Sequence, residues 1–269
     1  MRFDIVTIFP DLFTGFFDHG IVRRAQAGGL IEVQLHDLRA FTHDRHRTVD
    51  DRPFGGGEGM VLKPEPLAEA LESLGIQTRA ERTPSTNTRV VLMSAQGRPF
   101  SQAVAREYSG VERLVLICGR YEGVDERINE LFCDDELSIG DYVLSGGELA
   151  AAVVLDATMR LIPGVLGNEA SGEFESFGRL DTAISTDQDG VPRSQHGSGG
   201  LLDYPHYTRP SEFRGLRAPE VLLNGDHQQI RSWRREQQLR KTLANRPDLL
   251  KDAQLSDKDR KILEAIRSK

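Results

Sequence analysis

The sequence predicts an α/β domain with a largely parallel sheet covered by helices, followed by a small helical domain. Three observations carry this expectation. Short apolar runs rich in Val, Ile and Leu alternate with helix-like stretches over the first 165 residues or so. Those runs are continuously apolar, as strands buried on both faces are. Beyond residue 205 the pattern becomes helical and basic, after a polar segment that has no periodicity.

In chain order, Asp4–Phe9, Arg89–Met93 and Arg113–Cys118 are the expected buried strands. Helices are expected over Pro66–Leu74 and Ser101–Tyr108, with Gly75 and Gly110 where a helix would stop. A long small-and-apolar helix is expected over Gly147–Ile162, halted by Pro163. This alternation of strand and helix argues for a parallel sheet between helical layers. The stretch 168–204 is rich in Gly, Ser and Asp, which reads as a mobile linker. The expected domains are therefore 1–167, the linker 168–204, and a helical domain 205–269. In the last part Asp226 is placed to cap HQQIRSWRREQQLRKTLANR, which ends before Pro247, and Ser256 to cap a final short helix. Trp233 is expected to anchor the core of that small domain.

Composition narrows the class. With 38% hydrophobic and 28% charged residues in 269, the chain can bury a sizeable core. No apolar run approaches the roughly 20 residues of a membrane span, and MRFDIVTIFP lacks the features of a signal peptide. Cys118 and Cys133 have no metal-type spacing, so a cytosolic protein with free thiols is expected. The net charge of −7 hides an asymmetry: residues 206–269 carry 15 Lys+Arg against 9 Asp+Glu. That basic tail either contacts phosphates or is a solvated helical surface.

Three glycine-rich turns follow expected strands: Ser94-Ala95-Gln96-Gly97, Gly119-Arg120-Tyr121-Glu122-Gly123, and Ser145-Gly146-Gly147-Glu148 after Ile139–Leu144. In such sheets ligands collect beyond the carboxyl ends of the strands. Glycine lets backbone amides and carbonyls approach a ligand closely. Elimination narrows that ligand. FGGGEGMVLK lacks the Gly-Lys-Ser/Thr of a phosphate loop, no G-x-G-x-x-G opens a helix, and no G-x-S-x-G elbow occurs. A nucleoside-like ligand held by backbone survives. The other outlier is FTHDRHRTVDDRPFGGGEGM at 41–60, with His43, Arg45, His46, Arg47 and Arg52 ahead of a triple glycine. It reads either as a solvated charged loop or as one gripping phosphates; its two histidines lack a third convergent metal ligand.

These motifs, together with CGRYEGVDER, SIGDYVLSGGE, IPGVLG and LLDYPHYTRP in this order, resemble the bacterial tRNA (guanine-N1)-methyltransferases, the TrmD family of SPOUT enzymes. The resemblance spans most of the chain. It implies an α/β domain whose parallel sheet carries a deep trefoil knot, a small all-helical C-terminal domain, a homodimer with each site at the subunit interface, and a cytoplasmic enzyme. It implies S-adenosylmethionine as cofactor, magnesium assisting, and guanine 37 of a G36-G37 tRNA as substrate. Rival readings are another SPOUT-type RNA methyltransferase or a catalytically weak RNA-binding relative.

The resemblance also implies site residues. Ser94, Ala95, Gln96, Gly119, Tyr121, Ile139, Gly140, Asp141, Tyr142, Val143, Leu144, Gly146 and Gly147 would hold the cofactor, with Ala95 standing where the family usually has Pro. Arg160 matches the family's arginine beside the guanine, and Glu122 lies toward the methionine end of the cofactor. The family's Asp-Ser-Phe is Glu175-Ser176-Phe177 here, making Glu175 the candidate general base, with Glu173 and Asp181 as substitutes. An insertion follows at about 179–199. No acidic cluster reads as a dedicated metal site, since hard divalent ions need several convergent oxygens.

Overall fold

The computed structural model describes residues 1–83, 87–167, 175–178 and 198–268. Most of the expected linker and its insertion, with Glu173 and Asp181, lie outside the described residues. The chain divides into two compact units, Met1–Gly167 and Asn168–Lys269.

The first unit is a five-stranded parallel sheet. Its strands are β1 (Arg2–Thr7), β2 (Glu32–Asp37), β5 (Thr88–Pro99), β6 (Arg113–Cys118) and β7 (Asp135–Ser138), in the order β2-β1-β6-β5-β7. A separate short antiparallel pair joins β3 (Asp50–Asp51) to β4 (Val61–Leu62). The helices are α1 (Thr14–Phe17), α2 (Gly20–Ala27), α3 (Pro64–Ser73), α4 (Gln102–Ser109), α5 (Glu126–Phe132) and α6 (Glu148–Met159).

Alternation along each strand splits the core in two. On β6, Leu114, Leu116 and Cys118 join one cluster with Phe3, Ile5, Tyr108 and the α6 residues Ala151, Val154 and Leu155. Val115 and Ile117 face the other, with Val6, Leu67, Leu71, Ile128 and Phe132 from α3 and α5. Both faces are covered, which is why these strands read as unbroken apolar runs. Each fully buried Val or Leu contributes roughly 1.5–3 kcal/mol.

Asp4 is the exception on β1, fully buried and charged. It accepts from Arg2 Nε at 2.8 Å and Arg113 Nε at 2.8 Å, and lies 2.7 Å from His36 Nε2. Burial alone would raise its pKa, but hydrogen bonds from His36, Arg2 and Arg113 outweigh that and hold it well below the ordinary carboxylate range. Tyr108, also fully buried, donates to Asp135 at 2.6 Å, and burial together with that carboxylate pushes its phenol far up.

Three differences from the sequence reading matter for the site. The strand expected over Arg89–Met93 continues to Pro99, with a register shift that pairs both Met93 and Arg98 with Leu137. Ser94-Ala95-Gln96 is therefore a bulge inside a strand, not a loop after it. Second, the long helix is shorter than Gly147–Ile162. Gly147 is its N-cap and Arg160 its C-cap. Third, β2, β7, α2 and α5 went unread in the sequence, because β2 is only half-buried and β7 is four residues long.

The second unit is not all helical. It holds α7 (His227–Asn245), α8 (Leu249–Asp252) and α9 (Asp257–Arg267), but also a hairpin of β8 (Glu212–Phe213) and β9 (Leu216–Arg217). The hairpin turns through Arg214 and Gly215, both with positive φ (52° and 82°), as a two-residue turn between twisted strands requires. Arg in place of the usual Asn or Asp hid that turn. Asp226 caps α7 by accepting from the backbone N–H of Gln228 and Gln229, and Ser256 with Asp259 forms a capping box on α9. The core is Leu201, Leu239 and Leu263. Residues 198–204, expected in the linker, pack into this unit: Leu201 is fully buried, and Leu202 N donates to Thr242 Oγ1 at 3.0 Å. Trp233 lies outside that core, half-buried against Tyr207.

Candidate active site

The glycine-rich segments meet because β5, which carries the Ser94-Ala95-Gln96 bulge, lies between β6 and β7, whose following loops carry the other two. They line a cleft of about 270 Å³ whose walls come from the β5 bulge, the β6–α5 loop and the β7–α6 loop. Ser94, Ala95, Gln96, Gly119, Tyr121, Glu122, Ile139, Gly140, Tyr142, Val143, Leu144, Gly146 and Gly147 all line it. Asp141 does not. The strand before this last loop ends at Ser138, so Ile139–Leu144 is loop rather than strand. Ser138 Oγ turns the chain there, accepting from Gly140 N at 3.3 Å and donating to Gly140 O at 3.0 Å.

A buried ion pair holds two of the walls together. Glu148, 2% exposed at the start of α6, accepts from Arg120 Nε at 2.9 Å and from Thr7 Oγ1 at 2.7 Å. Arg120 Nη1 donates to Ser145 O at 2.9 Å, and its guanidinium lies 4.7 Å over the Phe9 ring. Alongside, Gly147 N donates to Gly119 O at 2.8 Å. A Cβ on Gly147 would come within 2.8 Å of Cys118 Cα, so only glycine permits this approach. Cys118 beneath is fully buried, and burial followed by the Glu148 charge pushes its thiol well above the ordinary value. It is an inert core thiol; Cys133, pushed up to about 12 chiefly by burial, is another. Sequence reasoning quoted Arg120 and Glu148 only within their motifs. An Arg and a Glu each next to a glycine of the cleft-lining turns were the available signal.

Glu122 faces the second outlier segment. Its backbone N donates to Met60 O at 2.9 Å, and its side chain lies over the backbone of Gly59, where a Cβ would stand 2.5 Å from Glu122 Oε1. Gly59 also has a φ of +81°, so the glycine is required twice over. The FGGGEGM stretch is thus attached to the cleft through Glu122. Upstream, Asp44 builds the turn by accepting from Thr48 N at 2.9 Å and His46 N at 3.1 Å, leaving Arg45, Arg47 and Arg52 exposed. His43 lies 2.8 Å from Glu69. Among the described residues no group of three or more His, Cys, Asp or Glu could hold a metal ion.

Arg160 is not brought to the cleft by its own chain. It caps the far end of α6, about 20 Å along the helix from Gly147 at 1.5 Å per residue. Glu175 belongs to the second unit, in a short turn where Gly178 N donates to Glu175 O at 3.1 Å and Phe177 N to Leu201 O at 2.9 Å. Of the arginines in the basic tail, Arg235 is engaged with Asp259 at 2.9 Å and Arg240 with Glu236 at 2.7 Å. Arg234 lies over Tyr204 instead. Among the described residues no helix is long and apolar enough to cross a membrane.

Comparison with known proteins places the chain in a family. Residues 1–252 match the family model described as tRNA (guanine-1)-methyltransferase TrmD. The chain is 57% identical over 268 residues to a tRNA (guanine-N(1)-)-methyltransferase of Koribacter versatilis, covering 100% of this chain and 99% of that one. It is 50% identical over 267 residues to the protein of that name from Geotalea uraniireducens, covering 99% and 97%. With full-length likeness at these levels, the chain belongs to the tRNA (guanine-1)-methyltransferase family.

Proposed function

We propose that this chain transfers a methyl group from S-adenosylmethionine to N1 of guanine 37 in tRNAs where guanine 36 precedes it. The observation that carries the reading is the family match over residues 1–252, joined to a cleft walled by backbone-rich glycine turns. Those residues fit the cofactor. Backbone groups at Gly119 and Ile139–Leu144 can read an adenine edge, and the close passage at Gly147 leaves room beside it. S-adenosylmethionine supplies, when bound, a methyl group already activated on a sulfonium. The cleft lining among the described residues does not fit magnesium, since no group of three or more His, Cys, Asp or Glu converges there.

The protein must then deprotonate guanine N1, which is a poor nucleophile while protonated. Glu175 takes that proton, and Arg160 stabilises the negative charge that develops on O6. Glu122, anchored at Met60 and Gly59, orients the loop at the methionine end.

The site as proposed needs two copies of the chain, since one α6 separates Arg160 from the cleft. A homodimer has a ready surface. Leu149 (63% exposed) and Val153 (46%) lie one turn apart on α6, and the neighbouring turn Pro10–Phe13 exposes Leu12. The SPOUT knot is supported by the passage of the 139–147 loop alongside Gly119 and Arg120, where Arg120 bridges Gly146. The second unit, by the same reading, is the tRNA-binding domain after a linker, and the protein works in the cytoplasm.

The test is methyl mapping. Purified protein, labelled S-adenosylmethionine and a G36-G37 tRNA transcript should give label at guanine N1 that vanishes when guanine 37 is replaced by adenine. Glu175→Gln should keep cofactor affinity and lose most transfer. Transfer at the parent rate would place the base elsewhere, and label on another nucleotide would favour a different SPOUT activity.

A further inference from the structure

The second unit displays aromatic rings outward and fixes them there. The strap Leu201–Tyr207 is pinned at successive points. Leu201 is fully buried, Leu202 N donates to Thr242 Oγ1, Asp203 N donates to Ser176 Oγ at 2.9 Å, and Tyr204 N donates to Asp203 Oδ1 at 2.7 Å. From that strap two rings meet two consecutive residues of α7. Tyr204 lies 4.8 Å beneath the Arg234 guanidinium, and Tyr207 lies 6.2 Å from Trp233. His206 packs 4.8 Å from Tyr204, its Nε2 held 3.0 Å from Asp203 Oδ2. Yet the outer surfaces are open: Tyr207 is 51% exposed, the His206 side chain 69%, and Arg234 is exposed.

A pinned, exposed π surface beside a guanidinium suits the face of a nucleobase, because base–aromatic stacking and cation–π attraction both act without sequence-specific hydrogen bonds. The excess of Lys and Arg in residues 206–269 favours a polyanion over an apolar peptide. We propose that Tyr204, His206, Tyr207 and Arg234 form a stacking platform for an unpaired base of the RNA loop that is methylated. This rests on the tRNA reading above. Ser176 links the platform to Glu175: its Oγ holds the strap at Asp203, so residue 175 and the rings are set relative to one another. The stacked base is therefore one flanking the reacting guanine.

The experiment measures equilibrium binding of the full chain to a G36-G37 anticodon stem-loop, and to the same RNA carrying single abasic sites at its unpaired positions. Tyr207→Leu and His206→Ala should each weaken binding of the intact RNA by roughly five- to hundredfold, the range for a lost base stack. At one abasic position flanking guanine 37 that loss should disappear, since the partner base is already gone. Tyr207→Trp, which keeps a ring and serves if Tyr207→Leu lowers the melting temperature, should bind as the parent does. Equal losses on intact and all abasic RNAs, no loss on any, or a loss in Tyr207→Trp would overturn the platform. The two readings fail separately. Ring-dependent RNA binding with no methyl on guanine N1 removes the proposed function and leaves the platform, whereas methylation with ring-independent binding does the reverse.

Discussion

Glu148→Gln tests whether the buried ion pair under the cleft is what holds the cleft walls in register. The substitution preserves shape and leaves an oxygen for Thr7, but it places an amide N–H₂ toward a guanidinium that has only donors. Removing one partner of a buried pair typically costs about 3–5 kcal/mol, because the remaining charge is left desolvated. Arg120 is 15% exposed and keeps Ser145 O and the Phe9 ring. The loss should thus fall at or just below the low end of that range, about 2–3 kcal/mol. For a unit of this size that corresponds to a melting temperature lower by roughly 5–10 °C. Arg120 bridges Gly146 and lies next in the chain to Gly119, which accepts from Gly147 N. The disorder should therefore reach the cofactor loops. If about 2 kcal/mol of the loss is felt there, cofactor affinity falls about thirtyfold, at tenfold per 1.4 kcal/mol. Calorimetric titration with S-adenosylmethionine and tRNA binding by fluorescence separate the effects: the first should weaken and the second should not. The double variant Glu148→Leu/Arg120→Met should be less damaged than Glu148→Gln alone, since no charge is stranded. A melting temperature that drops while cofactor affinity is unchanged would confine the pair to stability and refute the argument.

Arg160→Ala and Glu122→Ala should each be nearly inactive alone, yet an equimolar mixture allowed to exchange subunits should recover up to about a quarter of parent activity, as expected for symmetric dimers with sites built from both copies. No recovery would mean that both residues serve one site from one chain. Asp4 supplies a pH dependence. Its folded pKa lies below the ordinary value of 3.8, so its stabilisation is complete above that value and is lost as pH falls below it. The parent melting temperature should therefore fall steeply on acidification below about pH 4, and Asp4→Asn should flatten that limb. At neutral pH Asp4→Asn should cost roughly 3 kcal/mol by stranding Arg113 and Arg2, and a flat limb in the parent would refute this account.

What was legible in the sequence follows from period and punctuation. The continuous runs on β1, β5 and β6 reveal strands covered on both faces, and Asp226 and Ser256 announce the helices they cap because a side-chain oxygen satisfies orphan N–H groups locally. The glycine turns after β6 and β7 were legible as turns at the ends of strands, and the structure places them along one cleft. Local pattern could not reveal β7, four residues long, or the bulge that folds Ser94-Ala95-Gln96 back into β5. Pairing with Leu137 from another strand creates that bulge.

The chain by itself determined the buried strands β1, β5 and β6, the longer helices α3, α4, α6 and α7, the family motifs and the residue types of the cleft lining, since these depend on neighbours within a few residues. Only the tertiary structure decided which distant residues meet. Thr7, Arg120 and Glu148, up to 141 positions apart, become one buried network. Gly59 becomes the seat of Glu122, Trp233 leaves the core for Tyr207, and Arg160 ends a helix away from the cleft. The physical reason is that partners of a buried charge or ring are chosen by packing across elements, where separation along the chain carries no information about distance.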